Sequence, residues 1–285
     1  RIAAIAAVLL ASSVSGVAIS QDDLLERFLT PAPQERQRIK QVEVPVAQER
    51  QIGEQQFTVF ERQLRRQGIR LHTSGRDHRY VRQLVAEIRP LMAHHQRYPK
   101  IRVWIAQTDV TDAHAFPGGR VVISSGMLEF AQSEAALVGV LAHELSHIDR
   151  RHQLESLRSF LAAQKTWQSG SLEDLMAGGR LMMNAFARPF RPEQETQADR
   201  DAVRWMMQLG YHPDALADLF ERLANRDRGR RVPLPGFLRS HPWHEERQRD
   251  VRQYAAREAR KTSVRLDQLE LAEENWKDRR ARRPR

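Results

Sequence analysis

The feature that most constrains this chain is the stretch Ala135–Ile148, AALVGVLAHELSHI, an apolar run interrupted only near its end by His143, Glu144, Ser146 and His147. Its surroundings predict a helix from Ser133 to about Ala163, with Ala136, Leu137, Val140, Leu141 and Leu145 as its apolar surface. Residues four apart on a helix share a face, so His143 and His147 can aim both imidazoles at one point. Glu144 is offset by about 100°, near enough to hold a water beside an ion without being a ligand. The rival reading is a polar patch on an ordinary helix, but histidine, glutamate and histidine at this spacing in a breaker-free helix fit a metal site that activates water.

Two histidines do not complete such a site, because a catalytic zinc has three protein ligands and one open position. The 285 residues include no cysteine, so the third ligand must be His, Asp or Glu. His152 is near in sequence but lies about 140° around the helix from His147, so its ring is expected to point away unless the helix breaks. A second helix is predicted over about Pro192–Leu209, with Pro192 near its start and Gly210 as its stop. On it Glu195 and Asp199 are four apart and share a face, while Ala198 allows a close helix approach. Glu195 is the candidate third ligand, and Asp199 a candidate acceptor for the far nitrogen of a ligand histidine. Glu193 is turned about 200° from Glu195, so both cannot face one ion.

Residues 1–20 are apolar and rich in small residues, which reads as a signal peptide, with an uncleaved anchor as the rival. Residues 21–47 are expected to form a loosely ordered arm, followed by scaffold helices near Gln48–Gln67 and Arg79–His95. IRVWIA at 101–106 and RVVISSG at 120–126 read as strands of a small antiparallel sheet beside the active helix. Residues 164–191 are either a cover over a cleft or a helical hairpin. No later stretch is apolar enough to span a bilayer. A net charge of +10 suggests polyanions as partners, yet arginines alternate with acids and no nucleic-acid motif accompanies them, so no nucleic acid is expected. The basic run KDRRARRPR at the end is either a solvated tail or a tether to an anionic surface.

HELSH at 143–147 followed by ETQAD at 195–199 resembles the gluzincin family of zinc metalloendopeptidases that includes HtpX, BepA and the CAAX prenyl proteases. DAHAFPGG at 112–119, GYHPDAL at 210–216 and SHPWHEER at 240–247 extend the likeness over roughly residues 48–255. Departures are Asp112 for asparagine, His114 for phenylalanine and Pro192 for arginine, none at a zinc-ligand position. The resemblance implies an α+β, mostly helical, zincin-like metallopeptidase domain over 48–255, with 256–285 as a charged helical extension. It also implies one Zn²⁺ on His143, His147 and Glu195, Glu144 as general base and Asp199 in support. The soluble members of the family are similar to secreted, periplasmic proteases of envelope protein quality control.

The expected activity is hydrolysis of unfolded or misassembled envelope polypeptides, with an anionic membrane or outer-membrane assembly machinery as a peripheral partner. The alternatives are a hydrolase of cell-wall or small peptides and a metal-stabilised chaperone or assembly factor without catalysis. His241, Tyr211, His244 and Arg247 are candidates for the oxyanion or substrate donor, His241 first. His241 has a second candidate role as a plug that takes the open position on zinc. Val121, Val122, Ile123 and Ser124 are the expected edge strand for an extended substrate.

Overall fold

The computed structural model describes residues 43–155, 190–227, 241 and 245–276. The expected signal peptide, most of the 21–47 arm, His244, nearly all of 164–191 and the basic tail lie outside the described residues. Seven α-helices and four strands, with three short 3-10 turns, follow one another among the described residues. They are α1 (Val46–Arg66), β1 (Leu71–His72), α2 (Arg76–Ile88), β2 (Arg102–Ala106), β3 (Ala113–Phe116) and β4 (Arg120–Ser124). Then come α3 (Ser125–Phe130), α4 (Glu134–Asp149), α5 (Pro192–Gln208), α6 (Asp214–Asp227) and α7 (Glu245–Thr262).

The strand order is β1-β2-β4-β3. β1 pairs antiparallel with β2, and β3 with β4, but β2 and β4 run parallel, from Arg102 beside Arg120 to Ala106 beside Ser124. The class is therefore α+β and mostly helical, with a mixed sheet where an antiparallel one was expected. β2 and β4 are parallel because the chain crosses to β3 first and only then turns back.

That order corrects the expected substrate strand. Val121–Ser124 form β4, which has β2 on one side and β3 on the other, so its backbone groups are already paired. Val121 and Ile123 belong to the main core with α4, whereas Val122 packs with Phe57 of α1 and Phe116. Burial on both faces makes it a continuous apolar run. Among the described residues the edge strand beside α4 is β3.

The β3–β4 turn is built on Gly118 and Gly119, at φ 75° and 82°, a region closed to most side chains. Its Gly118 N–H donates to Glu49 Oε1 at 3.0 Å. Glu49 is buried and also accepts from Arg97 Nε at 2.9 Å and Tyr98 Oη at 2.7 Å, which fastens α1 to the turn.

α4 is buried along its whole length and packs against α5, α6, α2 and β3. Ser133 caps its start by accepting from Ala136 N–H at 3.1 Å. Gly139 lets α6 approach, since a Cβ there would stand 2.9 Å from Leu216 Cβ. α4 is shorter than expected and stops at Asp149. Arg151 turns left-handed at φ 58°, and Asp149 accepts from the N–H groups of Ala93 and His94 at 2.8 and 2.7 Å. Position 255/256, the expected domain boundary, falls inside α7, and Ala259 and Trp276 beyond it join the main core.

Candidate metal centre

α4 and α5 lie side by side and bring the two motif segments together. His143, His147, Glu195 and His241 each offer one ligand atom, and these atoms all lie within 4.8 Å of one another. All four side chains are buried. His143 Nε2 is 3.1 Å from His147 Nε2 and 3.5 Å from Glu195 Oε2, and His147 Nε2 is 3.4 Å from Glu195 Oε1. His241 comes from a separate segment, its Nδ1 3.1 Å from His143 Nε2 and 3.0 Å from Glu195 Oε1. Its Nε2 is 3.2 Å from Glu144 Oε1.

The next layer is polar and equally buried. His143 Nδ1 is 2.9 Å from Asp199 Oδ1, which makes it the protonated ring nitrogen and leaves the Nε2 lone pair facing the cluster. Arg247 donates from Nε to Asp199 Oδ2 at 2.9 Å and from Nη2 to Oδ1 at 2.8 Å, and its Nη1 is 2.8 Å from Glu195 Oε2. The guanidinium also lies over the Phe220 ring, 4.5 Å from its centroid. The Phe190 ring stacks on His147 with centroids 3.8 Å apart.

Electrostatics follow from these contacts. Burial works against charge on His241, but the Glu195 and Glu144 carboxylates outweigh it and raise the imidazole to about 10. Burial would raise Glu144, yet His241, then His147 and His143, hold it at about 2. His143 is raised against its burial by Asp199 and Glu195, whereas burial dominates at His147 and brings it to about 4. Arg247 likewise overcomes burial through Asp199 and Glu195 and stays charged.

Three imidazole nitrogens and one carboxylate in a sulfur-free cluster suit a borderline ion of the zinc type. The fit is physical. Two ring nitrogens at 3.1 Å, one of them with its lone pair turned inward by Asp199, are placed to share a proton or to hold a cation. The group can hold a single metal ion.

Residues 76–255, well over half of the chain, match Peptidase family M48. The chain belongs to this peptidase family. Among curated relatives, the Beta-barrel assembly-enhancing protease of Escherichia coli is 30% identical over 169 residues, which are 53% of this chain and 34% of that protein. The Mitochondrial metalloendopeptidase OMA1 of Schizosaccharomyces pombe is 29% identical over 163 residues, 54% of this chain and 47% of that protein. A Putative beta-barrel assembly-enhancing protease of Vibrio cholerae is 31% identical over 161 residues, 50% of this chain and 32% of that protein. The match thus spans between about a third and a half of the length of these relatives.

Among the candidate site residues, His143, His147, Glu144, Glu195, Asp199 and His241 converge. Tyr211 does not: its hydroxyl donates to Glu134 Oε1 at 2.8 Å, at the opposite end of α4 from His143. The turn after α5 carries it to that carboxylate, which also accepts from Tyr80 and Asn275. Arg247 reaches the site, but as the counter-charge of two carboxylates, which takes its guanidinium out of reach as an oxyanion donor. Glu193 is exposed, as its helical offset implies. His152 was expected to turn away from His147; the break after Asp149 returns its ring to His147, Nδ1 to Nδ1 at 3.0 Å. Its Nε2 is 3.2 Å from Gln197 Oε1. Neither contact had a local signal, since both depend on a left-handed arginine. Among the described residues no helix is long and apolar enough to cross a membrane.

Proposed function

We propose that this chain is a zinc-dependent endopeptidase that cleaves unfolded or misassembled polypeptides in a bacterial envelope compartment. The observation that carries the reading is the buried convergence of His143, His147 and Glu195 with Glu144 beside them, in a chain of peptidase family M48. The envelope setting is supported by relatives named for enhancing β-barrel assembly, and by the apolar residues 1–20 read as a signal peptide. Outer-membrane assembly machinery or an anionic membrane surface is the partner this reading implies.

His143, His147 and Glu195 would hold one Zn²⁺ per chain. When bound, zinc supplies a Lewis acid that acidifies a water and polarises the scissile carbonyl. Glu144 is the general base: its Oε2 is buried and accepts no hydrogen bond among the described residues, so it is free to take a proton from the attacking water and deliver it to the leaving amine. Asp199 orients His143, and Arg247 keeps Asp199 and Glu195 ionised. An extended substrate pairs with the edge strand β3. His241 stands in the place of a fourth donor, bridging Glu195 and Glu144, which describes a latent state. Its withdrawal opens the centre; the alternative role for the same imidazole is to stabilise the oxyanion.

Four residues that could each give one ligand atom, His241 once it loses its proton, also favour a second reading, a structural metal in a protein without catalysis, because structural zinc sites are closed. One experiment decides. Purified protein should hold one zinc per chain and cleave casein, and Glu144→Gln should keep the zinc while losing about 10²–10⁴-fold in rate. Zinc binding with no hydrolysis by either protein would establish the structural reading; hydrolysis of short cell-wall peptides but not casein would move the substrate class.

A further inference from the structure

The two ring nitrogens of His147 have separate tasks. Nε2 faces the cluster, 3.1 Å from His143 Nε2 and 3.4 Å from Glu195 Oε1. Nδ1 faces His152 Nδ1 at 3.0 Å, and beyond it His152 Nε2 faces Gln197 Oε1 at 3.2 Å. A neutral imidazole carries its proton on one nitrogen only, and an amide oxygen only accepts. His152 Nε2 must therefore hold a proton for Gln197, which leaves its Nδ1 bare and able only to accept. The donor across the 3.0 Å contact is then His147 Nδ1–H, and His147 Nε2 is left with a lone pair.

We infer that His152 and Gln197 are positioning residues: a neutral two-residue relay that holds His147 as its Nδ1–H tautomer and keeps its Nε2 lone pair turned into the metal centre. The inference rests on His147 being a metal ligand, as proposed above.

The relay solves for His147 the problem that Asp199 solves for His143, with different chemistry. Asp199 is charged and is balanced by Arg247. The space behind His147 holds an imidazole and an amide, which orient the ring without adding a fourth buried carboxylate to Glu144, Glu195 and Asp199. Gln197 sits between Glu195 and Asp199 on α5, so one helix supplies the candidate ligand and the far end of both second contacts. The geometry requires α4 to end where it does. On a continued helix His152 would face about 140° away, and the left-handed Arg151 is what brings it back. His152 and His147 rings then meet edge to face, with centroids 4.9 Å apart at 74°.

The reverse arrangement would be self-defeating. If Gln197 offered its amide nitrogen to His152, the chain of donors would invert and put a proton on His147 Nε2, inside the centre and 3.1 Å from His143 Nε2.

The test is Zn²⁺ affinity of the full chain, measured by competition with a chromogenic chelator, for the wild type, His147→Ala, His152→Ala, His152→Asn and Gln197→Leu. ¹⁵N NMR of histidine-labelled, zinc-loaded protein supplies a second readout. His152→Ala should weaken Zn²⁺ binding about 10–100-fold. Asparagine puts Oδ1 the same number of bonds from Cα as the ring Nδ1, so His152→Asn should recover most of that loss. Gln197→Leu should cost about two- to fivefold, and the spectrum should place the His147 proton on Nδ1. A His152→Ala protein with wild-type affinity beside a crippled His147→Ala overturns the relay alone, as does a proton on Nε2 or an asparagine variant as weak as alanine. Should His152→Ala fail to fold, unchanged affinity in Gln197→Leu overturns it. Equal affinity of wild type and His147→Ala would overturn the metal-centre reading, and the relay with it.

Discussion

Asp199 Oδ1 lies 2.9 Å from His143 Nδ1, and the same oxygen accepts from Arg247 Nη2 at 2.8 Å. One carboxylate thus sets the tautomer of a candidate ligand while its own charge is held by a guanidinium that also reaches Glu195. Arg247 comes from α7, about fifty residues after both acids, so α7 is part of the centre's support.

Removing that guanidinium leaves two buried carboxylates with, among the described residues, only His241 and His143 to offset their charge. Arg247→Ala is expected to destabilise the chelator-treated protein by about 3–5 kcal/mol, the usual cost of stripping one partner from a buried ion pair. Arg247→Lys should recover only part, because a single ammonium cannot span Asp199 and Glu195 as the planar fork does. Urea unfolding of the three proteins measures both. Added zinc should narrow the gap by neutralising Glu195.

His241 contacts His143, Glu195 and Glu144 at once, so it stands between the base and the ion that the other residues would hold. His241→Ala is expected to raise basal casein hydrolysis about tenfold, as follows when the competent fraction climbs from about a tenth to near unity. Initial rates at matched zinc content give the answer. A fall in rate with zinc retained would assign His241 to oxyanion stabilisation alone.

The parts of this site that the sequence made legible are those governed by a local rule. His143, Glu144 and His147 are placed by helical periodicity within one apolar stretch, and Glu195 and Asp199 by the same periodicity in another; the described α4 and α5 carry them as that rule requires. What was misread depends on distant partners. β4 was expected as an edge from the family resemblance, with a covered strand as the rival, and strand order is decided by how β2 and β3 flank it. Tyr211 follows α5 closely in sequence, yet Glu134 claims its hydroxyl. The helix stop at Asp149 comes from the Ala93 and His94 amides, some 55 residues upstream, and nothing between Ile148 and His152 announces it.

With β4 internal, substrate pairing falls to β3, and its residues differ in what they offer. His114 and Phe116 turn toward Phe60 of α1, whereas Ala113 and Ala115 belong to the core on the α4 side. The Ala115 carbonyl accepts from Gln153 Nε2 at 3.4 Å, a long contact that a substrate amide can displace. Ala115→Pro removes one backbone donor from this edge, where proline is tolerated. Expected is a fall of about tenfold in kcat/KM on extended polypeptides, carried by KM, together with a lower melting temperature because Ala115 is a core position. Steady-state kinetics beside a melting curve separate the two, and an unaltered KM would remove β3 from the substrate path.

Next to the centre, Asp201 fastens α5 to α4. It accepts from Ser146 Oγ at 2.7 Å and from Arg150 Nη2 at 2.9 Å, and it contacts Arg204. Burial would raise its carboxyl, but the Arg150 and Ser146 hydrogen bonds reverse this and hold it below the usual aspartate value. A carboxyl depressed in the folded state adds stability that is present above its unfolded value, about 3.9, and disappears as pH falls through the folded value. Solvent reaches both arginines, so Asp201→Asn should cost about 2 kcal/mol at pH 7, less than the loss of a fully buried partner. The difference from wild type should shrink as pH drops below about 4, because protonation then disarms the native aspartate in the same way. Urea midpoints collected from pH 7 down to pH 3 test the sign: a gap that widens on acidification would mean that Asp201 is not the ionised anchor of the α4–α5 contact.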